Sequence, residues 1–296
     1  MRDWTGLLSG IGAFALWGVF PIYFKWISEV AALEVLAHRI IWSLGFLMLG
    51  VTLLGRKFSW RQVYEDKKLF LCLLSSASLI ALNWLVFIEA VTAGKTIEAS
   101  FGYFMNPILI IAFSVIIFRE RLSFLQKISL VFAGIGVLYQ IASLGTIPWI
   151  SLVLASSFGL YGVVRKIAQI DSVRGLLMET LLLAPLAILY LVYRKQNDIL
   201  WFGQHSWQDD LLLISAGLVT SIPLVLFAVG VKRLPYATVG FLQYIAPSLQ
   251  FLVAIYLFQE ALPVEKFVSF IFVWVGLGFL VIGPRIQKYL PQLKML

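Results

Sequence analysis

The chain is poor in the residues that catalysis and metal binding draw on. Of its 296 residues, one is a cysteine, Cys72, and two are histidines, His38 and His205. A single cysteine excludes an internal disulfide and a cysteine-based metal site. No HExxH, CxxC or GxxxxGK[ST] pattern occurs, so the sequence offers neither a zinc-hydrolase helix nor a phosphate-binding loop. No His-plus-Ser or paired-Asp constellation sits at helical spacing in an apolar stretch, which argues against an intramembrane enzyme. No metal and no cofactor is expected. Charge is also scarce. Charged residues make up 13% of the chain, against about 25% in a soluble domain.

Apolar residues fill the space, at 61% of the chain, with a mean hydropathy of +0.94. That excess cannot be hidden in one soluble core, and it excludes disorder. The solvent must be lipid. Ten stretches approach the roughly 20 apolar residues that cross a bilayer: 6–25, 33–55, 69–91, 98–118, 123–141, 147–165, 173–193, 210–231, 236–258 and 263–283. The expected fold is an all-α integral membrane protein with ten transmembrane helices. The start "MRDW" leads into a retained first span rather than a cleaved signal. The net charge of +8 reads as topology and not as a nucleic-acid footprint. One set of span ends carries cations such as Arg56, Lys57, Lys67, Lys68, Arg119, Arg165, Lys166 and Lys232, while the other carries Lys25, Lys95, Arg194, Lys195 and Lys266. By the positive-inside rule both termini and the Lys67/Lys68 loop are cytoplasmic, and the 194–209 loop is outside. Trp4, Trp26, Trp60, Trp201 and Trp207 lie near span ends, as interfacial aromatics do.

The sequence repeats itself. "EASFGYFMNPILIIAFSVIIFRERL" (Glu98–Leu122) lies on "TVGFLQYIAPSLQFLVAIYLFQEAL" (Thr238–Leu262) at an offset of 140, matching Phe101, Pro107, Leu109, Phe118, Glu120 and Leu122 to Phe241, Pro247, Leu249, Phe258, Glu260 and Leu262. The register extends to Phe87 and Phe227, and to Ser129 and Gly136 with Ser269 and Gly276; an offset of 144 lays Phe14–Val19 on Phe158–Val163. Two five-span units follow, 1–145 and 146–296. Five is odd, so the second enters the membrane inverted, the arrangement of alternating-access transporters.

Taken together, "ALWGVFPIYFK" (Ala15–Lys25), "LEVLAHRIIWSL" (Leu33–Leu44), "LNWLVFIEAV" (Leu82–Val91), "EASFGYFMNP" (Glu98–Pro107), "SFGLYGVVRK" (Ser157–Lys166) and "LQYIAPSLQFLVA" (Leu242–Ala254) resemble the RarD group in the EamA branch of the drug/metabolite transporter superfamily. Glu89 departs from the group's pattern. The resemblance covers nearly the whole chain. It implies a bacterial inner-membrane secondary transporter and leaves the cargo open. The leading expectation is alternating-access export of a small amphiphilic metabolite or drug. The alternatives are an importer or exchanger of a polar metabolite such as an amino acid or nucleotide and, in a different class, a lipid translocase. A homodimer stays open.

Candidate cargo contacts follow from polar and aromatic residues that lipid would penalise. Gln243, Pro247 and Gln250 fall at i, i+4 and i+7, on one helix face. The matching stripe is Tyr103, Pro107 and Ile110, with Asn106 and Ser100 beside it. Pro107 and Pro247 each free a carbonyl one turn earlier. Asn83, Trp84 and Phe87 would suit a ring-bearing cargo. Trp17 and Tyr161, equivalent in the repeat, are read as lining the two ends of one passage. Each of these also reads as helix packing. Arg39 and Glu179 are opposite charges at positions 140 apart, and both should face a polar interior, Glu179 as an internal charge or proton site. Glu120 and Glu260 are read as turn and cap residues beside Ser123 and Pro263. Gly6/Gly10 and Ser151/Ala155/Gly159 mark close helix crossings.

Overall fold

The computed structural model describes residues 3–53, 65–92, 96–144, 149–168, 170–259 and, between 264 and 279, all but 266, 270, 273 and 277. Glu260, Pro263, Lys266, Lys95, Trp60 and the Arg56/Lys57 pair therefore lie outside the described residues, as do the side chains of Glu89, Glu98 and Ser100. All regular structure among the described residues is helical: α1 (Trp4–Trp26), α2 (Ala32–Leu53), α3 (Lys67–Thr92), α4 (Thr96–Ile116), α5 (Phe124–Leu144), α6 (Trp149–Ile167), α7 (Ser172–Gln196), α8 (Trp207–Arg233), α9 (Tyr236–Leu242), α10 (Ile245–Leu252) and a π-helical turn Val253–Leu257, then the apolar α11 (Phe267–Gly276). Eight helices, with Tyr236–Leu257 counted as one, are long and apolar enough to cross a membrane. Leu8, Leu138, Leu186 and Leu189 point outward and are exposed, a surface that suits hydrocarbon and not water.

Local chemistry sets where the helices begin. Asp3 accepts from Gly6 N at 2.9 Å, Asp171 from Val173 N and Arg174 N, and Ser206 from Asp209 N. Ser123 and Gln126 exchange backbone hydrogen bonds in a capping box at α5. The ninth stretch is not continuous. It breaks at Gln243–Tyr244, one turn before Pro247, where proline has no N–H to give and its ring crowds the preceding turn. The equivalent α4 runs through Pro107 unbroken.

Two packing groups result. α1 lies against α8 and α10, while α6 lies against α3 and α4; α4 meets α9, and α2 meets α7 and α8. Glycine permits the closest crossings, as the small-residue faces predict. A Cβ at Gly18 would sit 2.6 Å from that of Leu249, one at Gly6 2.7 Å from that of Arg233, and one at Gly159 2.9 Å from the Phe113 ring. Between α5 and α11, Ser129 Oγ donates to Gly276 O (2.6 Å) and Ser269 Oγ to Gly136 O (3.0 Å). The two bonds are reciprocal: each serine and each glycine of one is replaced in the other by its counterpart 140 positions away.

Candidate functional site

Besides a latch at Glu34, three polar centres lie inside the bundle among the described residues. The first surrounds Glu179, seven residues into α7 and 1% exposed. Its carboxylate accepts from Ser76 Oγ (2.5 Å), Tyr161 Oη (3.3 Å) and Arg165 Nη1 (3.3 Å). Arg165 Nη2 donates to Ser172 O at 2.9 Å. The sequence reading places Arg165 among the loop cations at a span end. The structure instead buries it at 1% exposure, because Gly175 leaves room for the guanidinium against α7. A cation at a helix end can snorkel to water; here a carboxylate across the loop and two turns into α7 offers the partner that water would otherwise supply.

The second centre joins the packing groups at the same end of the bundle. Glu120 accepts from Tyr236 N (2.6 Å) and Ala237 N (2.9 Å), and Lys166 Nζ lies 3.6 Å from it. Lys166 also donates to Leu234 O at 2.7 Å. Glu120 is thus a cap, as expected, but for α9 in the other half and not for the helix that follows it. At the opposite end, Glu34 is fully buried. It accepts from Arg194 Nη2 (2.8 Å) and Nε (3.1 Å), and from Trp201 N (2.7 Å) and Phe202 N (3.2 Å). Sequence reasoning missed this latch, although a lone Glu at the start of an apolar span was the available signal.

The third centre is Arg39. Its Nε donates to Thr220 Oγ1 at 2.8 Å, and its guanidinium lies 4.9 Å from the Trp84 ring and 5.7 Å from that of Phe24. Phe87 and Tyr103 meet edge to face at 5.7 Å, and Tyr103 interacts electrostatically with Arg39. Arg39, Trp84, Phe87 and Tyr103 all stay partly exposed. Five helices, α1, α2, α3, α4 and α8, supply this cluster.

The remaining candidates divide. Trp17 and Tyr161 do not line two ends of a passage. Both join a knot of rings with Phe14, Phe158 and Phe227, in which Tyr161 stacks on Phe227 and is fully buried. Asn83 Nδ2 donates to Leu154 O (2.8 Å) and Ser157 Oγ (3.0 Å), which fastens α3 to α6. Gln250 Nε2 donates to Trp17 O at 3.1 Å. The break at Gln243–Tyr244 interrupts the face expected to carry Gln243, Pro247 and Gln250 together. Gln243 Oε1 and both amide atoms of Asn106 are buried with no hydrogen-bond partner among the described residues. Arg39 and Glu179 do face the interior, each with its own partners and not each other.

Comparison with known proteins places this arrangement. The EamA-like transporter family matches twice, over residues 4–141 and 147–282. An uncharacterized transporter of Vibrio cholerae is 41% identical over 276 residues, covering 92% of this chain and 90% of that one. Protein RarD of Escherichia coli K12 is 40% identical over 278 residues, covering 93% of each. A chloramphenicol-sensitive protein RarD of Pseudomonas aeruginosa is 30% identical, covering 92% and 91%. A crystal structure of a protein at 17% identity shares the fold, with a TM-score of 0.73 over 94% of this chain and 98% of the other.

Proposed function

The chain belongs to the EamA-like transporter family, in its RarD group, and from that premise we propose that it moves a small amphiphilic molecule across the bacterial inner membrane by alternating access, in the direction of export. The observation that carries this reading is the exchange symmetry of the contacts. α1 sits on α8 and α10 as α6 sits on α3 and α4, and Ser129/Gly276 mirrors Ser269/Gly136. Those pairings support ten spans in two inverted repeats, 1–145 and 146–296, and the Lys/Arg bias of the span ends supports cytoplasmic termini. Two copies of opposite polarity can adopt one another's conformation, which turns a cavity from one side to the other. In the present state the Arg165 end is latched by Glu120, Lys166 and the ring knot and the opposite end by Glu34 and Arg194, while the Arg39 cluster keeps partly exposed side chains. The relative named for chloramphenicol sensitivity agrees with a small amphiphilic cargo.

The test needs no cargo. Spin-label pairs at Arg121/Lys232 and at Ser28/Trp149, in a Cys72→Ser background, span the two packing groups at opposite ends of the bundle. In liposomes each pair should give two distances. Glu120→Gln should lengthen the first pair's mean distance while it shortens the second's. A single distance at both ends, unmoved by Glu120→Gln, would sink alternating access.

A further inference from the structure

We propose that Arg39 is the anchor for an anionic group on the cargo, so that the transported molecule is a small organic anion carrying a flat ring. The proposal rests on the transport reading for its cargo but not for its binding site. Arg39 lies seven residues past the start of α2, about 10 Å along the helix axis at 1.5 Å per residue. A cation at that depth in an apolar helix is costly and takes a partner where one exists. Glu179, the residue 140 positions on, has Arg165, Ser76 and Tyr161. Among the described residues Arg39 hydrogen-bonds only to Thr220, through Nε. Among the described residues no carboxylate lies within ion-pair distance of it, and the titratable groups that act on it are the phenols of Tyr103 and Tyr23. Its two Nη nitrogens, a fork that matches a carboxylate or phosphate edge, make no hydrogen bond among the described residues, and the residue as a whole is half-buried.

The surroundings specify the rest of the ligand. Trp84 and Phe24 flank the guanidinium, and the Phe87–Tyr103 pair adds an aromatic wall contributed by α3 and α4. Rings hold the fork in place by cation–π contact without neutralising it, and the same rings offer a planar cargo a stacking surface. A purely structural arginine would be expected to spend its fork on carbonyls or carboxylates, as Arg165 and Arg194 do. This fork is placed and unspent.

The test uses purified full-length protein in phosphatidylcholine nanodiscs and two matched probes, 2-naphthoate and 2-naphthamide, titrated by tryptophan fluorescence. Wild type should bind the anion about tenfold more tightly than the amide, the size of one charge-assisted contact. Arg39→Gln should bring that ratio to about one, and Arg39→Lys, which keeps charge but loses the planar fork, should fall between. Trp84→Leu should weaken both probes together and leave the ratio intact. Should Arg39→Gln not fold, the Arg39→Lys ratio carries the test. Absence of naphthoate binding in wild type, an anion-to-amide ratio near one, or a ratio untouched by both Arg39 variants overturns the proposal. So does displacement of naphthoate by added phosphatidylglycerol in wild type but not in Arg39→Lys, which would make a lipid headgroup the occupant. Two-state distances without anion preference would leave transport standing and remove the anchor; anion preference without two-state distances would do the reverse.

Discussion

Arg39 and Glu179 occupy equivalent positions in the two halves, and their surroundings are opposite. Glu179 is saturated: a hydroxyl, a phenol and a guanidinium close on its carboxylate, and it is 1% exposed. Arg39 keeps a free fork in a partly exposed aromatic setting. The rings follow suit. Phe227 is packed into the Trp17–Tyr161 knot, whereas its counterpart Phe87 stands beside Tyr103. The ninth stretch is broken before Pro247, and its counterpart is continuous through Pro107. Two units of related sequence have therefore taken two conformations within one molecule, one closed around the Arg165–Glu179 ion pair and one that keeps an arginine without a described carboxylate partner.

Breaking the closed side should cost most. Arg165→Met leaves Glu179 buried and uncompensated, a loss of about 3–5 kcal/mol, read as a large drop in the thermal midpoint. Arg165→Met with Glu179→Met together should recover a good part of it. Gly175→Ala forces the Arg165 guanidinium from its place on α7 and should cost roughly 1–3 kcal/mol through overpacking. Asn83→Ala removes two bonds between α3 and α6 and should cost about 1 kcal/mol, on the scale of interhelical bonds in membranes; an unchanged midpoint would return Asn83 to the list of cargo contacts. Arg39→Gln should cost less still, below about 1 kcal/mol, since the Thr220 bond and the ring contacts are lost but a cation without a described carboxylate partner is removed from an apolar helix. If it proves as damaging as Arg165→Met, the contrast between the halves is wrong. The smallest effect lies outside the membrane. The Gly6 N–H and then the Arg233 guanidinium hold the Asp3 carboxyl below its ordinary 3.8. A depressed carboxyl stabilises the fold at neutral pH and ceases to do so as pH falls through its folded value. Asp3→Asn should flatten that acid limb of a midpoint-versus-pH curve, with a slightly lower midpoint at pH 7 and no difference from wild type below the folded value.

Much of the scaffold was legible residue by residue. The first eight apolar stretches became helices within a few positions of their expected limits, as at 6–25 against Trp4–Trp26; the ninth is broken, and the tenth lies partly outside the described residues. Glycine faces such as Gly6/Gly10 became close crossings, and Ser123 became a cap. These depend on neighbours along the chain. The assignments that shifted depend on neighbours across it. Tyr161 looked like a passage wall until α8 brought Phe227 onto it. Asn83 looked available until α6 turned Leu154 O and Ser157 toward it.

Composition and repeat alone therefore determine that the chain is an all-helical membrane protein and that it contains two related units, because hydropathy and register are properties of sequence. Which charge is satisfied and which is left free is decided only by the tertiary structure. Arg165 and Arg39 are both arginines on apolar helices. A carboxylate is packed within 3.3 Å of the first, whereas among the described residues a threonine and aromatic rings stand against the second.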